Sequence, residues 1–313
     1  MTSPNEGSAP WAAAGGETSA DHGAGHRVGV TGGSGRLGRA VLQELGNHGY
    51  ATTNFDQVPD GNLADEYVRG DILDGEHVAR WLKGCDRLIH LAAIPAPGSA
   101  SADWLTQVNV LGTYRVLAAA VSVGISQIVV ASSVSALGLA WGRRFLPAYL
   151  PIDEAVPLSP EDEYGVSKQV NEIYAATFAR RHHLRIALLR FPAIVGLETI
   201  EAFRAQLAGD KELGARMLWS YVDIADAARA CRLALPGETP GAHPYYIAAG
   251  DNLAGGELEA GLREYFPGVV FRGNFASGGS LISTAAAQAA FGYRPQVAWG
   301  TPSAPSCNQI REE

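Results

Sequence analysis

The stretch Val28-Gly29-Val30-Thr31-Gly32-Gly33-Ser34-Gly35-Arg36-Leu37-Gly38 decides the reading of this chain. Its β-branched start predicts a strand. A turn follows with Gly32, Gly35 and Gly38 at the spacing G-x-x-G-x-x-G. Leu37, Val41, Leu42 and Leu45 then recur at helical spacing, and Gly46 and Gly49 close the pattern. Strand, glycine turn and helix in that order suit a diphosphate. A tight turn needs positive φ, which glycine tolerates. The backbone must approach the anion closely, so no Cβ can intervene. The helix start adds free N–H groups and the positive end of its dipole. Gly32, Gly35, Arg36, Leu37 and Gly38 are therefore candidate dinucleotide-binding residues.

Just downstream, a second strand reads Ala51 to Phe55 and ends at Asp56, 21 residues beyond Gly35. A carboxylate there accepts hydrogen bonds from a ribose 2′-hydroxyl and repels a 2′-phosphate. No Arg or Lys follows directly in Asp56-Gln57-Val58-Pro59-Asp60. The expected cofactor is NAD rather than NADP. Arg36 argues the other way, since a guanidinium in the turn could reach a 2′-phosphate; Asp56 outweighs it because it reads the ribose directly.

Further strands are predicted at Arg87–Leu91, Gln127–Ala131, Arg185–Leu189 and Pro244–Ala248. Helical patterns lie between, at Gly75–Leu82, Trp104–Val123, Glu161–His182 and Ile224–Leu235. Strands alternating with helices predict an α/β fold, a Rossmann-type doubly wound parallel sheet covered on both faces. Past about Pro192 the segments shorten. The expected organisation is a dinucleotide domain over 27–192 that carries the catalytic residues. Residues 193–313 are expected to form mostly a small C-terminal substrate lobe, with late elements returning to the sheet.

Composition sets the outer limits. Of 313 residues, 47% are hydrophobic and 18% charged, which builds a large core and excludes disorder throughout. A net charge of −8 without a long basic run argues against nucleic-acid or anionic-membrane partners. No run of ~18 apolar residues predicts a membrane span. Met1 to about His26 is rich in Ala, Gly, Ser, Pro and Thr and is expected to be disordered; it lacks the basic start and apolar core of a secretory signal. Cys85, Cys231 and Cys307 are odd in number and far apart, so no disulfide framework or metal site is expected and a cytoplasmic setting fits. Glycine is abundant at 37 residues, but five of these fall in the tail and many others punctuate element ends.

Catalytic candidates come from Tyr164-Gly165-Val166-Ser167-Lys168, inside a helical pattern. Four residues apart on a helix means one face. An ammonium beside a phenol favours the phenolate and is expected to lower the Tyr164 pKa toward neutrality, as proton exchange with an alcohol or carbonyl requires. Ser132 and Ser133 end a predicted strand, where ligand groups collect in open α/β sheets, and a serine hydroxyl there can bind the same substrate oxygen.

With these motifs in order, the sequence resembles the extended short-chain dehydrogenase/reductase family, the NAD-dependent epimerase/dehydratase type. The resemblance is strong over about Val28 to Gly196 and weaker to about Trp299. Thr31 to Gly38 matches the TGxxGxxG turn, and Asp71-Ile72 the pair that in the family holds the adenine. His90-Leu91-Ala92-Ala93 matches the segment lining the cofactor, and Asn109 to Thr113 the NxxGT segment. Ser133 stands at the family's catalytic Ser/Thr, Tyr164 and Lys168 at its YxxxK pair, and Arg190-Phe191-Pro192 at the segment bordering the nicotinamide. Tyr221 to Asp226 resembles the late YVxVxD helix start. The resemblance implies Tyr164 as general acid/base, Lys168 on the nicotinamide ribose, Ser133 orienting the substrate oxygen, and Asn109 supporting the active-site helix. Cofactor contacts are implied for Asp56, Asp71, Ile72, Leu91, Ala92, Ala93, Asn109 and Phe191.

Two departures narrow the choice. Ser133 is followed by Val134-Ser135 rather than the acid pair of sugar dehydratases. The span from Gly196 to Tyr221 is 25 residues, short for holding a nucleotide-sugar; with Met217 to Tyr221 this layout resembles the uronate dehydrogenase-like members. The implied reaction is hydride transfer between NAD and a small sugar or sugar acid. Ser133, Ser135 and Arg190 are candidate substrate contacts, and Arg143 and Arg144 further candidates for a carboxylate. An epimerase with tightly bound NAD and, less so, a non-catalytic NAD sensor are the alternatives. The family also implies a homodimer through Trp104–Val123 and Glu161–His182, where Ala118 to Ala120, Ala175 and Ala176 either offer close-packing faces or simply face the sheet.

Overall fold

The computed structural model describes residues 25–142, 146–237, 239–272 and 278–300. Arg143 and Arg144, Cys307 and nearly all of the N-terminal segment lie outside the described residues. Seven parallel strands form the central sheet: β1 Arg27–Thr31, β2 Ala51–Asp56, β3 Glu66–Arg69, β4 Arg87–His90, β5 Gln127–Ser133, β6 Arg185–Phe191 and β7 Gly241–Tyr246. Their spatial order is β3-β2-β1-β4-β5-β6-β7. The chain reverses direction across the sheet between β1 and β4, which opens a crevice at their carboxyl ends.

Among the described residues there are ten α-helices: α1 Arg36–Asn47, α2 Gly75–Trp81, α3 Ala102–Thr106, α4 Thr113–Ser122, α5 Glu163–His182, α6 Ile200–Gly209, α7 Lys211–Arg216, α8 Ile224–Leu233, α9 Leu258–Tyr265 and α10 Ala285–Phe291. Alternate residues of one strand feed opposite cores, as period-two side chains must. In β5, Val129 packs with Val28, Val41, Leu45 and Ala227 under α1 and α8. Its neighbours Ile128 and Val130 pack with Leu117, Ala120 and Ala175 under α4 and α5. Burial on both faces is why these strands read as continuous apolar runs.

Two features were not predicted, and a third settles an alternative. Strand β3, Glu-Tyr-Val-Arg, is short, charged at both ends and lies at the sheet edge, where alternation is not enforced by burial. The single helix expected over Trp104–Val123 is α3, a π-helical turn Gln107–Gly112 and α4 in succession. Finally, Ala119, Ala120 and Ala175 face the sheet core rather than outward; the outer face of these helices carries Trp104, Leu111, Tyr114, Val166 and Ile173 instead, each exposed.

Of the later elements, β7 is the seventh sheet strand and α8 packs in the core beneath α1. A separate apolar cluster joins Val134, Leu137 and Leu139, just after β5, to Leu207, Leu218, Trp219, Leu258 and Ile282. These later segments therefore pack against the residues that follow the carboxyl end of β5.

Candidate functional site

The glycine turn is wound by sterics. Gly32 has φ +74, and a Cβ there would lie 2.6 Å from the Ala92 nitrogen. A Cβ on Gly38 would overlap the Gly32 carbonyl oxygen. Gly33 is equally constrained, since its Cβ would overlap Asn54, whose Oδ1 accepts from the Gly33 N–H at 3.0 Å. The sequence pattern missed Gly33; the signal was Asn54, a buried amide in the strand beside the turn. Gly35, by contrast, meets only the Gly32 oxygen at 3.3 Å and is exposed.

Helix α1 starts at Gly35 with no side-chain cap and no acidic residue in its first turn. Its first N–H groups and positive dipole end therefore remain available to an anion, which fits a dinucleotide diphosphate. Asp56 accepts from Ser34 N at 3.0 Å and Gln57 N at 2.7 Å, which ties the end of β2 to the glycine turn. Asp71 accepts from Gln57 Nε2 at 3.2 Å, and Ile72 is buried against Gly112. Arg36 does not reach toward Asp56: its guanidinium donates to the Ile194 carbonyl oxygen, across the crevice in the chain leaving β6.

Leu91 and Ala92 follow β4 and are held by Thr31, Leu91 N donating to the Thr31 carbonyl at 3.0 Å. His90 bridges the Thr31 and Thr113 hydroxyls at 2.7 and 2.9 Å. Burial first, and the Lys168 charge second, push its pKa down to about 3, so it is neutral. Ala93 is partly buried beside Ile94. Asn109 is fully buried in the π turn. It accepts from Ile94 N at 2.8 Å and donates to Ile94 O and to Ser167 Oγ at 3.0 and 3.2 Å. Its side chain ties the loop after β4 to α5.

Helix α5 begins at the cap Asp162, whose Oδ1 accepts from Gly165 N at 2.8 Å. Its buried face carries Gly165, Ser167, Lys168, Asn171 and Glu172, an unusually polar stripe to turn toward a sheet. Lys168 Nζ donates to the Ala131 carbonyl of β5 at 2.9 Å and lies 5.5 Å from the centre of the Tyr164 ring. Ser133 is buried at the end of β5, opposite Phe191 in the β5–β6 register, and 3.1 Å from the Ser135 hydroxyl. The Ser133 hydroxyl is near enough to Tyr164 to favour its phenolate. Ser133, Ser135, Tyr164 and Lys168 thus converge at the carboxyl end of β5.

Two sequence expectations are corrected here. Burial pushes the Tyr164 phenol up to about 12; the Ser133 hydrogen bond opposes this and the Asp162 charge adds to it. Desolvation of the phenolate therefore outweighs any help from Lys168, whose own pKa burial lowers to about 8. Arg190, expected as a free cation for the substrate, is instead committed to an internal ion pair. It is 4% exposed, its Nε and Nη2 donate to Glu172 at 2.9 and 2.7 Å, and Nη1 reaches Tyr246 OH at 3.4 Å. Nothing in the local sequence marks Glu172 as its partner except position: it stands one turn after Lys168 on the same face.

A pocket of about 290 Å³, lined among others by Gly138, Tyr149, Ser159 and Glu161, opens beside the start of α5. A second, of about 400 Å³, lies under α9 and shares no residue with this site. Among the described residues no cluster of three His, Cys, Asp or Glu could hold a metal, and no helix is long and apolar enough to cross a membrane.

A family model described as NAD dependent epimerase/dehydratase family matches residues 28–248. The chain belongs to this family. Among family relatives, the L-arabinose 1-dehydrogenase (NAD(P)(+)) of Haloferax volcanii is 29% identical over 68% of this chain and 84% of its own length. The UDP-glucose 4-epimerase of Thermotoga maritima, solved with UDP-glucose, is 20% identical, covering 87% of this chain and 94% of that one at a TM-score of 0.67. A mutated uronate dehydrogenase is 24% identical, covering 80% and 82%, at a TM-score of 0.58. The chain spans about half the length of several other curated relatives. Extended short-chain dehydrogenase/reductase architecture is thus common to dehydrogenase and epimerase neighbours alike.

Proposed function

We propose that this epimerase/dehydratase-family protein is an NAD-dependent oxidoreductase that transfers hydride between the cofactor and a secondary alcohol or hemiacetal of a small polyhydroxylated substrate, a sugar or sugar acid. The observation that carries this reading is the convergence of Ser133, Tyr164 and Lys168 at the end of β5, beside an uncapped glycine turn.

NAD, when bound, accepts or gives the hydride at its nicotinamide. The glycine turn and the start of α1 hold the diphosphate, Asp56 the adenine ribose, and Asp71 and Ile72 border the adenine; Leu91 to Ala93 and Phe191 line the remainder. Lys168 holds the nicotinamide ribose. Ser133 and Ser135 orient the substrate oxygen. Tyr164 takes its proton in oxidation and returns it in reduction. Asn109 supports the arrangement through Ile94 and Ser167 without meeting substrate. With Arg190 occupied by Glu172, the substrate's polar contacts fall to the serines and to the small lobe. The exposed apolar side chains of Trp104, Tyr114 and Ile173 support a homodimer packed through α3 to α5.

Screening reduction of NAD and NADP at the nicotinamide absorbance against aldoses, uronic acids and small secondary alcohols tests the reading; no reduction by any of them overturns it. A second reading, an epimerase that re-reduces its substrate on retained NAD, is favoured by one observation: the Arg36 to Ile194 bond spans the crevice and would slow cofactor exchange. Conversion of a sugar without added NAD and without net absorbance change selects it.

A further inference from the structure

Lys168 can hold a ribose hydroxyl as a cation only if it keeps its proton in a site that works against the charge. It is 4% exposed, and it donates a hydrogen bond to a neutral carbonyl, that of Ala131. The charged and titratable groups facing it are Tyr164 and Glu172 from α5, His90 from β4 and, behind Glu172, Arg190 from β6. Tyr164 is a phenol and His90 is neutral, so the negative charge in this set is the Glu172 carboxylate. Glu172 stands four residues after Lys168, one turn along the same buried face. It is fixed by three hydrogen bonds: Ser132 Oγ donates to Oε1 at 2.6 Å, and Arg190 closes a two-toothed pair on Oε1 and Oε2. Arg190 is itself braced by Tyr246 at the edge strand. Such geometry holds the carboxylate still rather than letting it rotate away.

We propose that Glu172 is a positioning residue that keeps Lys168 protonated for cofactor binding, with Ser132 and Arg190 locking its carboxylate one helical turn away on the same buried face. The inference rests on the reading of Lys168 given above. Burial lowers the Lys168 pKa to about 8 and Glu172 opposes that fall. Without the carboxylate, Lys168 loses its proton within the neutral range.

The test is NADH affinity against pH, read by nicotinamide fluorescence on the full-length protein, for Glu172→Gln, Arg190→Gln and the double variant. Both single variants lose the same ion pair, so a purely structural role moves them alike. In the wild type NADH binding weakens above about pH 8. Glu172→Gln is expected to bring that break down by about one pH unit, and Arg190→Gln, which leaves the carboxylate in place, not to lower it. A break that stays put in Glu172→Gln, or falls equally in both, overturns the proposal. Should the single variants fail to fold because each strands a buried charge, the double variant decides: its break falls if the proposal holds and stays if it does not. Lys168→Met separates the two levels. If it leaves the pH dependence of NADH binding unchanged, the reading of Lys168 itself fails; if it abolishes that dependence while Glu172→Gln shifts nothing, only the role of Glu172 fails.

Discussion

Gly165 of α5 lies directly against the carbonyl oxygen of Ser135, in the turn that follows β5, and a Cβ at Gly165 would overlap that oxygen. This close approach lets the side chain before it, Tyr164, meet Ser133. Gly165→Ala is therefore expected to push α5 away from β5, to cost about 1–3 kcal/mol of stability and to lower turnover at least tenfold. Thermal melting and steady-state kinetics check both effects; an unchanged turnover would show that the spacing is not needed.

Tyr164 provides the pH prediction. Its phenol is raised to about 12, so the base form needed for alcohol oxidation is scarce at neutral pH. Oxidation should quicken about tenfold per pH unit up to about pH 8, then level as Lys168 gives up its proton. Carbonyl reduction, which needs the phenol, should instead be flat and fall above about pH 8. Tyr164→Phe is expected to lose about 10²–10⁴ in turnover with NADH affinity retained.

Asp56 should decide the cofactor. Replacing it with Asn keeps a group able to accept from Ser34 N but removes the charge facing a 2′-phosphate. The expected outcome is a fall of about 10–100-fold in the preference for NAD over NADP, mainly through tighter NADP binding. Dissociation constants for both cofactors measure it.

His90 makes the fold acid-sensitive. The unfolded chain takes up a proton at this residue below about pH 6.5, whereas the folded protein resists until about pH 3. The unfolded state therefore gains as pH falls through that window, by about 1.4 kcal/mol per unit from this group alone. His90→Gln, which can still bridge Thr31 and Thr113, should show a shallower loss of stability between pH 6 and 4 in denaturant titrations.

The exposed face of α3 to α5 makes a quaternary prediction. Ile173 is 58% exposed at its centre, in company with Trp104 and Tyr114. Ile173→Asp should yield a monomer by light scattering if this face is the dimer contact, with the melting profile of each subunit otherwise kept.

Local sequence determined the glycine turn, the alternation of strand and helix, and the four-residue spacing of Tyr164 and Lys168, because turn chemistry and periodicity are set by neighbours in the chain. It also carried the placement of Ser133, since a serine closing an apolar run marks a strand end. Only the tertiary structure decided the electrostatics. Arg190 reads locally as a free cation beside the nicotinamide segment, yet the packing of α5 over β5 and β6 buries it on Glu172. Tyr164 reads as a phenol eased by its lysine, yet burial of the phenol raises its pKa instead. Strand β3 and the π turn around Asn109 were hidden for a related reason. The first is held by one neighbour at the sheet edge and the second by Ile94 and Ser167, contacts that no local pattern encodes. Burial and pairing are properties of elements brought together from distant parts of the chain, and they set the sign of each perturbed charge in this site.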